Sequence, residues 1–342
     1  MIQKRIHNIA EHWKLILLFI IIIFASLYVT RELDRPIDKG MDIYYSWVEG
    51  RRILLGENPY SRILSGNMRE NDKYSTYFPL FYELSFLSQR VGLLNFEDWV
   101  DFWRKIFIFF EVAVAALIFF YLAHRKHLII AVFSALFWLF NRWTLYQIRV
   151  AYFDFIPIFF MVLSIWFFSR HRLFSLFLLS VSLAFKQIAI FLVPLYLIWI
   201  LQDAKKDRIK KLIIAFICLA SIPFLTSLPF MVWDIEGFVR SIFFSVTRDA
   251  ADHFGSPTLP VYMRWVDFPA RLPMLFMFAL VYFAALQNKI KIYMSAFLTM
   301  LIFVEFNPVQ FRQYLLWVMV FVPFLSVDHL PQDDVSISLE NG

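Results

Sequence analysis

Residues 31–60 read RELDRPIDKGMDIYYSWVEGRRILLGENPY, and residues 73–86 read KYSTYFPLFYELSF. Both lie in one charged, aromatic stretch, 31–102, set between two long apolar runs. Some seventy polar and aromatic residues between two membrane spans imply a use for them outside the bilayer. An acid opening a short aromatic helix, then Gly-x-Asn-Pro-Tyr, then Tyr-Phe-Pro-Leu, is a pattern with chemistry attached. The rest of the chain says what surrounds it.

Of 342 residues, 60% are hydrophobic, with 42 Phe and 11 Trp, and the mean hydropathy is +0.63. A water-soluble domain of this size has too little interior to hide that much apolar surface. Aromatic residues suit both lipid-facing surface and the interfacial belt. The one cysteine, Cys218, lies in an apolar run and reads as a small buried hydrophobe. The net charge of +6 does not point to nucleic acid, because the cations sit in short loops between apolar runs, where they set orientation. The N-terminal apolar run is too long and too poor in small residues for a cleaved signal peptide, so it reads as a span.

A span needs roughly 20 apolar residues, fewer inside a bundle. Ten runs qualify: 14–30, 104–123, 128–141, 152–169, 173–186, 187–201, 212–230, 271–287, 292–306 and 313–326. The expected fold is therefore an all-α polytopic membrane protein of about ten transmembrane helices. One membrane domain covers 1–326, and 327–342 is a polar tail. Lys4, Arg5 and Lys14 stand at the first span. Arg125 and Lys126, then Arg170 and Arg172, then Lys205 to Lys211, then Lys289 and Lys291, fill every second loop. The positive-inside rule makes that side, with both termini, cytoplasmic. The extracytoplasmic face then receives 31–102, a short turn at 142–150, a turn at Lys186-Gln187, the fourth loop 231–270 and a turn at 307–312.

Within the first loop, the chain from Asp42 onward reads as an interfacial helix with Asp42 as its N-cap and Gly56 ending it. Asp42, Tyr45, Glu49 and Arg52 share one face. The plain expectation for Glu49 and Arg52 is a solvated face, with Ile43, Trp47, Ile53 and Leu54 resting on the bilayer. Asn95 is the expected N-cap of the helix that follows. Lys73 would meet an anion or snorkel. Arg149, Lys186 and Arg312 stand at the outer ends of spans, where cations are disfavoured, and together would clamp a phosphate. Asp154 either pairs with Arg149 or shapes a pocket. His253, in the fourth loop with Trp233, Asp234, Arg240 and Arg264, is a candidate ligand or base. No Walker motif, HExxH or Cys/His metal set occurs, so no metal and no cofactor is expected.

The chain resembles the GT-C superfamily of polyprenyl-phosphate-sugar-dependent glycosyltransferases, in its bacterial and archaeal mannosyltransferase-like branch. The likeness rests on Met41-Asp42-Ile43-Tyr44-Tyr45, Gly56-Glu57-Asn58-Pro59-Tyr60, Tyr77-Phe78-Pro79-Leu80, Tyr152-Phe153-Asp154-Phe155-Ile156-Pro157, Phe185-Lys186-Gln187, Ser227-Leu228-Pro229-Phe230 and Gln310-Phe311-Arg312-Gln313-Tyr314. These run in the family's order through most of 14–326. Phe78 stands where the family often has a first proline, and Lys186-Gln187 where it often has Lys-Pro. The resemblance implies inverting transfer of a sugar, mannose first, from a polyprenyl or dolichyl phosphate to an extracytoplasmic glycan or glycolipid. Asp42 would be the general base, with Asp34 and Asp38 as fallbacks. Lys186, Arg312 and Arg149 would hold the donor phosphate. Asp154, Tyr77, Lys73, Tyr45, Gln310 and His253 would contact sugar and acceptor. The partners implied are the lipid-linked donor, the acceptor and membrane lipid, with room for a small partner subunit. The competing expectation is a polyprenyl-lipid flippase or transporter without transferase activity, although no internal repeat is present.

Overall fold

A computed structural model gives the architecture. The structure describes residues 2–33, 36–66, 73–125, 127–204, 206–247, 258–307 and 309–329, without the side chains of 2–12, 245–247 and 327–329. Asp34, Lys126, Lys205, Arg248, Asp249, Asp252 and His253, and the tail beyond 329, lie outside these residues. Among those described, the regular structure is helical throughout. In chain order the helices are α1 Ile2–Glu32, α2 Asp42–Leu54, α3 Leu80–Arg90, α4 Phe96–Ala123, α5 Leu128–Phe140, α6 Arg142–Val150, α7 Phe155–Phe167 and α8 Arg172–Phe185. They continue as α9 Val193–Asp203, α10 Arg208–Trp233, α11 Ile235–Thr247, α12 Leu259–Tyr262, α13 Leu272–Leu286, α14 Ile292–Phe306, α15 Tyr314–Met319 and α16 Val322–His329.

Four segments are long and apolar enough to cross a membrane: Trp13–Glu32, Phe96–Ala123, Arg208–Trp233 and Phe268–Leu286. A fifth arises if α5 and α6, bent by 42°, form one broken span. The other apolar helices, including α7, α8 and α14, have 10–17 residues. At about 1.5 Å per residue, thirteen residues reach only about 20 Å of a hydrocarbon core about 30 Å thick. Large apolar side chains nevertheless face outward on the long helices: Phe24 on α1 is 68% exposed and Phe216 on α10 is 66% exposed. Such a surface is stable against lipid and not against water.

The interior is built where α4, α5, α7, α8 and α14 pack, around Phe107, Phe119, Trp138, Phe155, Leu179 and Met300. A smaller cluster of Tyr60, Tyr82, Phe230 and Phe238 joins the first loop to the fourth. Polar bonds hold the same junction. Asn58 accepts from the Tyr60 amide at 3.0 Å and closes the turn, while Ser61 donates to Asp234 at 2.6 Å. Asp234 also accepts from the Gly237 amide at 3.0 Å, capping α11. The Ser61 bond and these amides hold its carboxyl below the usual range. The pattern around Asn58-Pro59-Tyr60 is thus partly a docking device between two loops.

Several expectations about local structure change. Residues 142–150 are not a short turn but the helix α6, because the Asn141 side chain accepts from the amides of Trp143 and Thr144 at 2.9 and 3.0 Å. Asp42 is not an N-cap. Met41 holds that position, and Asp42 is the first helical residue, with no capping bond from either side chain. Ile43 does not rest on lipid; it is 1% exposed and belongs to the core. Glu49 is not solvated either, for α2 packs along α3 and covers it. At the closest approach a Cβ on Gly50 would collide with Ser85. Gly56 does end α2, at φ +78°. Its amide donates to Ile53 O at 3.1 Å and the Glu57 amide to Arg52 O at 2.9 Å, a Schellman closure that needs the left-handed conformation. Asn95 caps α4, accepting from the Glu97 amide at 3.4 Å.

Candidate functional site

Asp42, Ile43, Tyr77, Tyr152, Phe153, Asp154, Lys186 and Gln313 line one narrow cleft with room for about one water molecule. Five separate parts of the chain meet there, Gln313 before α15 being the last. Asp42 opens α2, and Tyr77 precedes Pro79 at the start of α3. Tyr152, Phe153 and Asp154 join α6 to α7. Lys186 is the extended residue between α8 and a 3-10 turn at Gln187–Leu192. That break is anchored, since the Gln187 side chain donates to Thr76 O at 2.5 Å. It ties the Lys186 turn to the first loop, one residue from Tyr77.

The inner end of the cleft is a buried ion pair. Lys186 Nζ donates to Asp154 Oδ1 at 2.8 Å and Oδ2 at 3.0 Å. Each residue is 1% exposed. Trp317 Nε1 donates to the same Oδ1 at 2.8 Å. The Lys186 ammonium lies 4.9 Å from the ring centre of Tyr77, 5.4 Å from Phe153 and 5.9 Å from Tyr314. Carboxylate, indole and three aromatic faces replace its water shell, which makes burial of the charge tolerable. Asp154 therefore pairs with Lys186, not with Arg149.

The outer end carries Asp42. Its Oδ1 accepts from Lys73 Nζ at 3.0 Å, and its Oδ2 from Gln313 Nε2 at 3.5 Å. The Lys73 and Asp42 side chains are 44% and 32% exposed, so water reaches this acid as it does not reach Asp154. Lys73 Nζ also lies 5.8 Å over the Tyr45 ring. One cleft thus presents a solvated carboxylate at its mouth and a neutralised, desolvated pair at its floor.

Of the remaining candidates, Arg149 and Arg312 are exposed and do not line the cleft. Both flank it: Arg149 is three residues before Tyr152 and Arg312 is next to Gln313. The Arg312 guanidinium stacks 5.3 Å over Tyr146 of α6, and α6 packs on α15. Gln310 is half-buried outside the lining. Asp38 accepts from the Gly40 amide at 3.1 Å in an exposed turn, apart from the cleft. Asp34 and His253 fall outside the described residues. Among the described residues, no three His, Cys, Asp or Glu side chains gather where they would hold a metal ion.

Gln313, Tyr152 and Trp317 were missed by sequence reasoning. Gln313 carried a weak signal, following Arg312 in Gln-Phe-Arg-Gln-Tyr. Trp317 carried none, because a tryptophan in an apolar run reads as packing. Glu49 was misjudged. It is 1% exposed, with Arg62 at 3.2 Å and Arg52 at 3.4 Å. Burial pushes its carboxyl up to about 7, against the opposing pull of Arg62 and Arg52.

All-helical structure and several long apolar helices mark the chain as a membrane protein. Comparison with protein-family models, with curated proteins and with solved structures finds no match.

Proposed function

We propose that the chain is an inverting, polyprenyl-phosphate-sugar-dependent glycosyltransferase whose active site is this cleft on the extracytoplasmic face. The observation that carries the reading is the placing of Asp42, Tyr77, Asp154 and Lys186 around one cleft. These residues come from separate motifs of the GT-C-like series. Each of the ten apolar segments overlaps at least one described helix, while α2, α3, α6, α11 and α12 lie between them. The reading takes the short helices as crossings supported by their neighbours, and ten crossings with the positive-inside bias would then leave both termini in the cytoplasm.

In the reaction, an acceptor hydroxyl oxygen bonds to the anomeric carbon as the bond from that carbon to the phosphate oxygen breaks. The electron pair leaves with the lipid phosphate, and the hydroxyl proton passes to Asp42. Its position at the mouth lets a glycan or glycolipid hydroxyl reach it. The Lys186–Asp154 pair carries little net charge, so it orients sugar hydroxyls more than it neutralises phosphate. Arg149 and Arg312, exposed on packed elements beside the cleft, supply the charge for the leaving phosphate. Mannose is the first sugar to try.

The test is transfer by purified protein in detergent with EDTA, offering polyprenyl-phosphate mannose, then glucose, then arabinose, with membrane glycolipids as acceptors. Transfer from one donor, lost in Asp42→Asn at unchanged thermal stability, is expected. Unchanged transfer with Asp42, Asp38 and Asp34 all neutralised would overturn the mechanism. Movement of donor lipid across vesicles without any transfer would favour a flippase.

A further inference from the structure

The ammonium of Lys73 reaches Asp42 from a backbone that is itself held. Arg62, in the 3-10 turn Ser61–Leu64, donates through Nη1 to Lys73 O at 3.0 Å. The same Nη1 donates to Glu49 Oε1 at 3.2 Å. Glu49 lies on α2, seven residues and two turns after Asp42, so both acids share one helical face. The carboxylate of Glu49 is buried, whereas the Arg62 side chain is 35% exposed. A buried carboxylate at the far end of α2 thus fixes a guanidinium, the guanidinium fixes a carbonyl, and that residue's own ammonium returns to the near end of α2.

We propose that Glu49 and Arg62 are positioning residues, which clamp the main chain at Lys73 and so hold its ammonium on Asp42. The proposal deepens the reading of Asp42 as base and rests on it for its catalytic meaning. Without the clamp, Lys73 would hang on a main chain tied only by its neighbours, and its long side chain has several rotamers to explore. Burial raises Glu49 to about 7, so the clamp is complete only above that pH. The charged and titratable groups facing Glu49 are Arg52 on its own helix, Arg62, and the buried phenols Tyr60 and Tyr82, which lie near enough to feel its charge.

The experiment reads Lys73 directly. Whole protein in nanodiscs is treated briefly at pH 8 with a small amine-acylating reagent. Mass spectrometry gives the rate at Lys73 relative to exposed Lys39. An ammonium held on a carboxylate is shielded, so Asp42→Asn should raise the ratio, on the order of threefold. Arg62→Gln, compared at a checked melting midpoint because it leaves Glu49 with Arg52 alone, should raise it as far. The double variant should rise no further, because one interaction is lost once. Glu49→Gln should move it in the same direction, with a melting midpoint at pH 8 no lower than that of the wild type. A ratio unchanged in Arg62→Gln, or unchanged in Asp42→Asn, overturns the proposal. Turnover separates this from the functional reading. Absence of transfer in the wild type defeats the transferase, while the labelling result stands. Where transfer is found, kcat should fall equally in Lys73→Met, Arg62→Gln and the double variant.

Discussion

Replacing Asp154 with asparagine removes one half of the buried pair and little else. The amide is nearly isosteric, and its oxygen still accepts from Trp317 Nε1, 2.8 Å away in the native site. What disappears is the charge opposite Lys186, whose Nζ made contacts of 2.8 and 3.0 Å with the carboxylate. Lys186 is 1% exposed, so water cannot take over. Breaking such a pair from one side costs about 3–5 kcal/mol, because the remaining ion stays buried. At about 2 °C per kcal/mol for a chain of this size, the apparent melting midpoint should fall by about 6–10 °C. Lys186→Met should cost a similar amount. The double variant Asp154→Leu with Lys186→Met should recover most of the loss, since a well-packed apolar pair can replace an ion pair at little net cost. A residue of about 1–3 kcal/mol should remain from the orphaned Trp317 indole. Cys218 is the one cysteine in the chain and is half-buried. A thiol-reactive fluorophore therefore reports unfolding in detergent without further engineering. Single variants within 1 °C of wild type, or a double variant falling by the sum of the two, would refute the reasoning.

Stability should also depend on pH through Glu49. Its folded value of about 7 lies above its ordinary 4.5, so between the two the native state binds the proton and the unfolded state does not. Stability is then greatest below about pH 4.5 and falls by about 3 kcal/mol as pH rises through 7. Glu83, raised to about 7 by burial, titrates in the same window. Glu49→Gln should therefore flatten most of the slope in melting curves taken from pH 4.5 to 8, but not all of it. Glu111 on α4 is wholly buried, and neither carboxyl oxygen has a partner among the described residues. Glu111→Leu should raise stability by about 1–3 kcal/mol, and a fall in melting midpoint would show that the carboxyl is satisfied. Gly50→Ala should cost about 1–3 kcal/mol, because the methyl group meets Ser85 and pries α2 from α3. Transfer should drop with it, since α2 carries Asp42.

The membrane class, the helical content and a few helix ends were legible in the sequence because they depend on neighbours along the chain. Twenty apolar residues need no partner to prefer lipid. Gly56 ends α2 by its own left-handed backbone and Asn95 caps the helix it precedes, whereas the cap at Asn141 went unread and α6 was taken for a turn. The sequence could also nominate Asp42, Asp154 and Lys186, since charge at the edge of an apolar run is costly wherever the chain goes. It could not pair them. Asp42 and Lys73 are 31 residues apart, Asp154 and Lys186 are 32 apart, and Asp154 and Trp317 are 163 apart. Glu49 shows the limit most plainly. Helical spacing put it on the face of Asp42 and Arg52, which alone reads as a wet surface. Only the packing of α3 against Gly50 decided that this face is interior, because burial belongs to the neighbours that close over a residue and not to the residue itself.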